Sequence, residues 1–316
     1  MKILITGASG LLGGRLAQYL IQQQKQQRPE ILLGTRRSKG WPNEAVMDFH
    51  QQDNLREVCH GVTAVVHLAG PNAAQCASAD EQTLAADVQA MSNLLHRAIE
   101  QGVRRFIYVS TMHVYGASEG YIDEHTPALN IHPYALNHLA KESLLLNAHR
   151  QGLIEGVVVR LSNAFGAPVD MSANCWMLLV NDLCRQGARD HQLVLKSAGT
   201  QRRDFVPIRF VCGAMWHLLT MDSKLLSAEP WHVSGQFSPR VIDMAKRIQS
   251  RFTVVFGKTP ELHHPPAELT DQPGNLDYAI QKLRSSGYSA DPLSLVDDEI
   301  DDLITACLYD SSVNTQ

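Results

Sequence analysis

The stretch TGASGLLG, residues 6–13, decides the fold. It follows the apolar run KILIT (residues 2–6) and opens a helix-length segment, so Gly7, Gly10 and Gly13 stand at a strand-to-helix turn. At such a turn the first glycine permits the tight bend and the second lets backbone approach a pyrophosphate. The third packs helix against strand, and the helix N-terminus faces the anion. Leu11 shares the turn and joins the three glycines as a candidate dinucleotide contact.

Outward from this turn, residues 30–34, 62–69, 104–110 and 156–161 are short runs of the kind that make buried parallel strands. Helix-length stretches at 11–27, 80–101 and 134–151 separate them, which predicts a doubly wound α/β sheet of Rossmann type. After residue 164 the alternation loosens: the pattern predicts a helix over 172–187, a strand over 192–196, a helix over 208–221 and a Pro-rich loop over 260–273. The expected division is a Rossmann domain of residues 1–164 and about 200–236 and a smaller substrate-binding lobe of 165–199 and about 237–310. Residues 311–316 are expected to form a disordered tail. QQQKQQ (22–27) reads as the solvated end of the first helix, and DDEIDD (297–302) as an acidic helix start favoured by the dipole.

Composition narrows the function. The 316 residues include 28 Lys+Arg against 32 Asp+Glu, a formal net charge of −4, which gives no electrostatic reason for a nucleic-acid or membrane-surface partner. The six cysteines are scattered without a Cys-x-x-Cys pair and are expected reduced, and the histidines show no ligand spacing, so no metal is inferred. With no apolar run approaching the length of a membrane span and no leader-like N-terminus, the expected location is the cytoplasm.

Several further motifs occur in a fixed order: VVHLAG (65–70), IYVSTMHVYG (107–116), HPYALNHLAKE (132–142), VRLSNAFG (159–166), GTQRRDFV (199–206) and LDYAIQKLRSSGY (276–288). Together with the glycine turn they resemble the extended short-chain dehydrogenase/reductases, the branch containing nucleotide-sugar epimerases, dehydratases and reductases. The resemblance spans about nine-tenths of the chain, and its ordered agreement is what gives it force. It implies that Leu68, Ala69 and Gly70 line the cofactor, that Asp48, with Phe49 beside it, touches the adenine edge, and that Tyr134 exchanges a proton with the sugar while Thr111 holds the same oxygen. Asn163 is implied as a substrate contact and Arg203 as the diphosphate clamp, with Arg202 a possible substitute; PIRFVCGA (207–214) departs from the family's usual acidic sequence there. The substrate implied is a nucleoside-diphosphate sugar, and the assembly a homodimer through the 80–101 and 134–151 helices. A second reading, from the atypical members of the superfamily, is a non-catalytic NADP(H)-binding sensor or assembly protein. Retention of Thr111, Tyr134 and Arg203 favours the enzyme, since a sensor has no use for a proton donor.

The cofactor preference is a matter of charge. An NAD enzyme carries an acid at the end of the second strand, whereas GTRRSKG (34–40) presents Arg36 and Arg37, whose guanidinium forks suit a 2′-phosphate; NADP(H) is favoured over NAD(H).

The family's Tyr-x-x-x-Lys becomes Tyr134-x-x-x-His138 here. A protonated His138 would replace the lysine's charge, and activity should then fade as pH rises through an imidazole pKa of ~6.5. Lys141, seven residues past Tyr134 and so ~10 Å further along the axis, is expected to face solvent. Met112 and His113 follow Thr111 where dehydratases of the branch carry acids, which argues against dehydration. His113 stands where one epimerase/reductase type carries an acid/base cysteine, and is a candidate for proton transfer beside a ketone, although a lone histidine at a strand edge is more often structural.

Overall fold

In the computed structural model, residues 1–23, 29–267 and 274–310 are described. The expectations for the Gln-rich run, for the end of the 260–273 segment and for the 311–316 tail therefore fall wholly or partly outside the described residues. The chain runs β1 (Lys2–Thr6), α1 (Leu11–Ile21), β2 (Glu30–Thr35), β3 (Glu44–Val46), α2 (Gln52–Cys59), β4 (Ala64–His67), α3 (Ala73–Ser78), α4 (Glu81–Glu100), β5 (Arg105–Thr111), β6 (Gly120–Ile122), α5 (Pro133–Arg150), β7 (Glu155–Leu161) and β8 (Asn163–Phe165). It continues through α6 (Leu179–Asp190), β9 (Gln192–Val194), β10 (Phe205–Pro207), α7 (Ile208–Thr220), β11 (Trp231–Val233), α8 (Val241–Phe256), β12 (Glu261–His263), β13 (Leu276–Tyr278), α9 (Gln281–Ser285) and α10 (Val296–Leu308).

Seven strands form one parallel sheet in the order β11-β7-β5-β4-β1-β2-β3. Their apolar runs are explained by burial on both faces. Ile3, Ile5, Val66, Ile107, Val157 and Val159 pack against α1 and α7. Leu4, Val65, Phe106 and Val158, one residue out of phase, pack against α2, α4 and α5. The strand order reverses at the boundary between β1 and β4, so the carboxyl ends of those two strands open the crevice where such sheets take ligands. This is the predicted doubly wound α/β architecture.

Beyond the sheet, α6, α8 and α10 enclose a separate apolar cluster with Phe165, Leu193 and Phe205. Two expectations are corrected here. The helix foreseen over 172–187 starts only at Leu179, because residues 168–178 are held in turns, with Asp170 accepting from the Ser172 amide at 2.9 Å and the Trp176 indole donating to the Met171 carbonyl at 3.1 Å. The segment expected as loop from 260 contains β12, which pairs in parallel with β9.

The acidic run 297–302 does open α10, with Asp298 and Asp302 exposed, but two of its other acids are tied to arginines. Glu299 is fully buried and its carboxylate meets Arg15 of α1 at 2.7 Å, while Asp297 accepts from Arg247 at 2.7 Å. Among the described residues no helix is long and apolar enough to cross a membrane, no His/Cys/Asp/Glu group is arranged to hold a metal, and the six cysteines are free.

Candidate active site

The glycine turn is built tightly. Gly7 has φ of +71°, a backbone that side chains rarely adopt, and a Cβ on Gly13 would fall 2.4 Å from the Gly7 carbonyl oxygen. The Thr6 hydroxyl locks this turn to the neighbouring strand end by accepting from the Leu68 and Ala69 amides at 3.2 and 3.3 Å, and it lies 2.8 Å from Nδ1 of buried His67.

Beyond the carboxyl ends of β4, β5 and β7 lies a cleft of about 340 Å³. Of the predicted site residues, Leu11, Leu68, Ala69, Gly70, Thr111, His113, Tyr134, His138 and Asn163 line it. A second recess of about 450 Å³ is lined by Ser9, Arg36, Arg37 and Lys39. Asp48 is exposed and caps a turn by accepting from the His50 amide at 2.9 Å; Phe49 packs edge-on against His67 with ring centroids 5.8 Å apart. Arg203 is exposed outside the cleft lining, close enough for its charge to act on His113.

Tyr134 enters through the first turn of α5, where Pro133 suits the start of a helix and His132 caps by accepting from the Tyr134 amide at 3.2 Å. Burial raises the Tyr134 phenol above its ordinary value, the Thr111 hydroxyl opposes that rise, and Cys76 adds to it. The phenol is therefore protonated at neutral pH. Thr111 ends β5, and its hydroxyl accepts from the His113 amide at 3.1 Å, which turns His113 toward the cleft. His113 and Tyr134 rings meet edge to face at 6.3 Å. The cleft wall, then Arg203 and His132, pull the His113 imidazole below its usual range, so it is neutral and able to accept a proton.

His138 departs from expectation. Its ring packs edge-on to Tyr134 at 4.5 Å and its Nδ1 lies 2.6 Å from the Tyr108 hydroxyl. Burial first, then Lys141 and His113, push the imidazole down to about 3. It thus carries no charge at neutral pH, and the expected alkaline fading through ~6.5 has no basis in this geometry.

The consequence falls on the acid side. Because the folded-state pKa lies below the unfolded ~6.5, His138 contributes stability that is complete above that pH and is lost as pH falls toward about 3. Between pH 7 and pH 5 the loss should reach about 2 kcal/mol. Urea unfolding of wild type and His138→Asn at both pH values checks this; identical pH dependence in the two proteins would remove His138 as the cause.

Lys141 is the larger correction. It is 1% exposed, lines the cleft and pairs with Asp87 of α4, instead of facing solvent. Seven residues are nearly two helical turns, so Lys141 returns to the face that carries Tyr134 and His138. That spacing was the signal available in the sequence.

Other participants had no such signal. Glu44 supplies the acid that GTRRSKG lacks, but spends it on the loop: it accepts from Thr35 and Ser38 hydroxyls at 2.8 Å each and from the Lys39 and Gly40 amides. Desolvation works against these hydrogen bonds, which nonetheless hold the Glu44 carboxyl at about 2. The carboxylate thereby fixes the loop that presents Arg36 and Arg37. Beneath the cleft, Glu142 of α5 accepts from Ser110 at 2.6 Å and from Arg160 at 2.7 Å, and Arg160 donates to the Tyr115 hydroxyl at 2.7 Å. Asn163 donates to the Asp204 carbonyl at 2.8 Å, and buried Asp204 accepts from the Gly235 amide at 2.8 Å.

A doubly wound sheet with a glycine turn at its switch point and a Thr–Tyr pair in the adjoining cleft defines a Rossmann-type enzyme of the short-chain dehydrogenase/reductase kind. Residues 3–234 match the model of the NAD dependent epimerase/dehydratase family, and the chain belongs to that family. It is 26% identical over 302 residues to an uncharacterized UDP-glucose epimerase of Bacillus subtilis (strain 168), covering 90% of this chain and 91% of that protein. It is 24% identical over 233 residues to UDP-glucuronic acid decarboxylase 6 of Arabidopsis thaliana, covering 70% and 67% respectively. Its fold is similar to UDP-glucuronic acid 4-epimerase from Bacillus cereus in complex with NAD, with a TM-score of 0.77 at 20% identity over 97% of this chain and 96% of that one. It is also similar to RMD from Pseudomonas aeruginosa complexed with NADPH, with a TM-score of 0.75 at 20% identity over 97% and 99%.

Proposed function

We propose that this protein is an NADP(H)-dependent oxidoreductase or epimerase acting on a nucleoside-diphosphate sugar. One observation carries the reading: Thr111, Tyr134, His138 and Asn163 converge on one cleft with the β4 end, while a separate recess gathers Arg36, Arg37 and Lys39. In this reading the cleft takes the nicotinamide and the sugar, and the guanidinium-lined recess takes the 2′-phosphate. When bound, the dinucleotide supplies or accepts hydride.

The protein's own groups do the rest. Tyr134 holds a proton ready for a sugar keto oxygen, Thr111 positions that oxygen, and neutral His113 is placed to take a proton from a neighbouring carbon, the step that separates epimerisation from reduction. Asn163 and Arg203 are assigned to the sugar and its diphosphate. Pairing of two copies through α4 and α5, where Leu136 is half exposed, belongs to the same proposal.

The cofactor preference gives the test. One charge-assisted phosphate contact contributes ~1.5–3 kcal/mol, so NADP(H) should bind roughly ten- to hundredfold more tightly than NAD(H). Arg36→Ala/Arg37→Ala should abolish that difference. Calorimetry measures both, and equal affinities in the wild type would overturn the NADP(H) assignment. A protein that binds NADP(H) yet shows no thermal shift or turnover with UDP-, GDP-, CDP- or dTDP-sugars would instead be a dinucleotide sensor.

A further inference from the structure

Among the residues lining the cleft that holds Tyr134, Lys141 is the one lysine or arginine. Its side chain is 1% exposed, and among the described residues its ammonium donates to a single acceptor, the carboxylate of Asp87. An ammonium has three N–H donors, and a buried one left short of acceptors is costly. The ammonium has a definite place: a Cβ on Gly70 would be 3.7 Å from Lys141 Nζ, so the ammonium stands over the Gly70 position just past β4. That position borders the switch point between β1 and β4. His138, one turn earlier on α5, has its Nδ1 committed to Tyr108 at 2.6 Å.

We infer that Lys141, not His138, is the cationic donor that grips the nicotinamide-side ribose hydroxyls of the bound dinucleotide, with Asp87 fixing its orientation. This assigns a binding role to a residue outside the Tyr134–His138 motif and rests on the dinucleotide reading given above. Asp87 comes from α4 and Lys141 from α5, so the donor is set by packing between two helices instead of by a rotamer reaching from one. Lys141 then binds and positions the cofactor, while proton transfer stays with Tyr134.

Removing Lys141 alone would strand the Asp87 carboxylate, so the pair is neutralised together in Lys141→Gln/Asp87→Asn, with Lys141→Met/Asp87→Leu as an apolar replacement should the first variant not fold. Three probes are titrated into wild type and variant: NADPH, reduced nicotinamide mononucleotide and 2′,5′-ADP. NADPH and the mononucleotide should weaken about ten- to hundredfold, and 2′,5′-ADP, which contacts the arginine recess, should bind as before. Lys141→Arg, which keeps cation and donors, should retain most of the NADPH affinity. A folded double variant that binds NADPH as the wild type does would overturn the inference and leave Lys141–Asp87 a structural ion pair. Failure of the wild type to bind NADPH at all would remove the dinucleotide reading and this inference with it. Unchanged 2′,5′-ADP binding alongside unchanged NADPH binding would remove only the inference.

Discussion

Tyr134→Phe is expected to lower the turnover number by about 10²–10⁴-fold, the contribution of a positioned proton donor, with dinucleotide affinity nearly unchanged. The substitution deletes one hydroxyl and keeps the ring that packs on His138 at 4.5 Å and against His113 at 6.3 Å. The loss should therefore appear in the chemical step and not in folding. Burial keeps the phenol protonated, which suits it to donate to a keto oxygen, while Thr111 acts in the direction that favours the phenolate left behind. Single-turnover rates with saturating NADPH and sugar nucleotide measure the effect directly. A Phe variant within about threefold of wild type would mean that another group donates the proton.

The second large effect is on stability. Arg160→Met should cost about 3–5 kcal/mol, because it leaves the Glu142 carboxylate buried without its partner. Glu142 is 3% and Arg160 7% exposed, and the pair is chelated by two guanidinium nitrogens at 3.1 and 2.7 Å. Ser110, Tyr115 and His232 extend the network, the Tyr115 hydroxyl lying 2.5 Å from Nε2 of His232. It joins β5, β7 and β11 to α5, the helix that delivers Tyr134, His138 and Lys141. Replacing both charges, as in Arg160→Met/Glu142→Leu, should recover part of the loss, since well-packed apolar residues substitute for buried ion pairs far better than one stranded charge does. Urea denaturation of the two variants checks the ordering. A cost under about 1 kcal/mol for Arg160→Met would place this pair with ordinary exposed ones.

The sheet was legible because its strands announce themselves by burial on both faces: Ile3, Leu4 and Ile5 are all fully buried, and so are Val157, Val158 and Val159. The glycine turn was legible because steric demands at Gly7 and Gly13 leave little choice of residue. What could not be seen depends on partners far apart in sequence. Glu299 looks like one more acid in a charged helix start until Arg15, 284 residues away, closes on it. The charge state of His138 is set by burial and by Lys141, neither of which a motif encodes. Lys141 is legible by direction, since seven residues return a helix to the same face, and not by its axial distance from Tyr134, which alone would place it away from the site. The late start of α6 reflects local competition at Asp170 and Ser172, where side chains bond the backbone in place of a helical turn.

The proposed role of Tyr134 in hydride chemistry on a nucleotide-activated sugar is open to a turnover assay. The purified protein, charged with NADP(H), is mixed with a panel of UDP-, GDP-, CDP- and dTDP-sugars, and the redox state of the nicotinamide is followed by absorbance while the sugar is analysed for reduction or inversion. At least one sugar nucleotide is expected to change the nicotinamide or to be converted by the wild type, and Tyr134→Phe is expected to bind the same ligands without converting them. Conversion at equal rates by both proteins, or no conversion of any sugar by a wild type that binds NADP(H), would contradict that role.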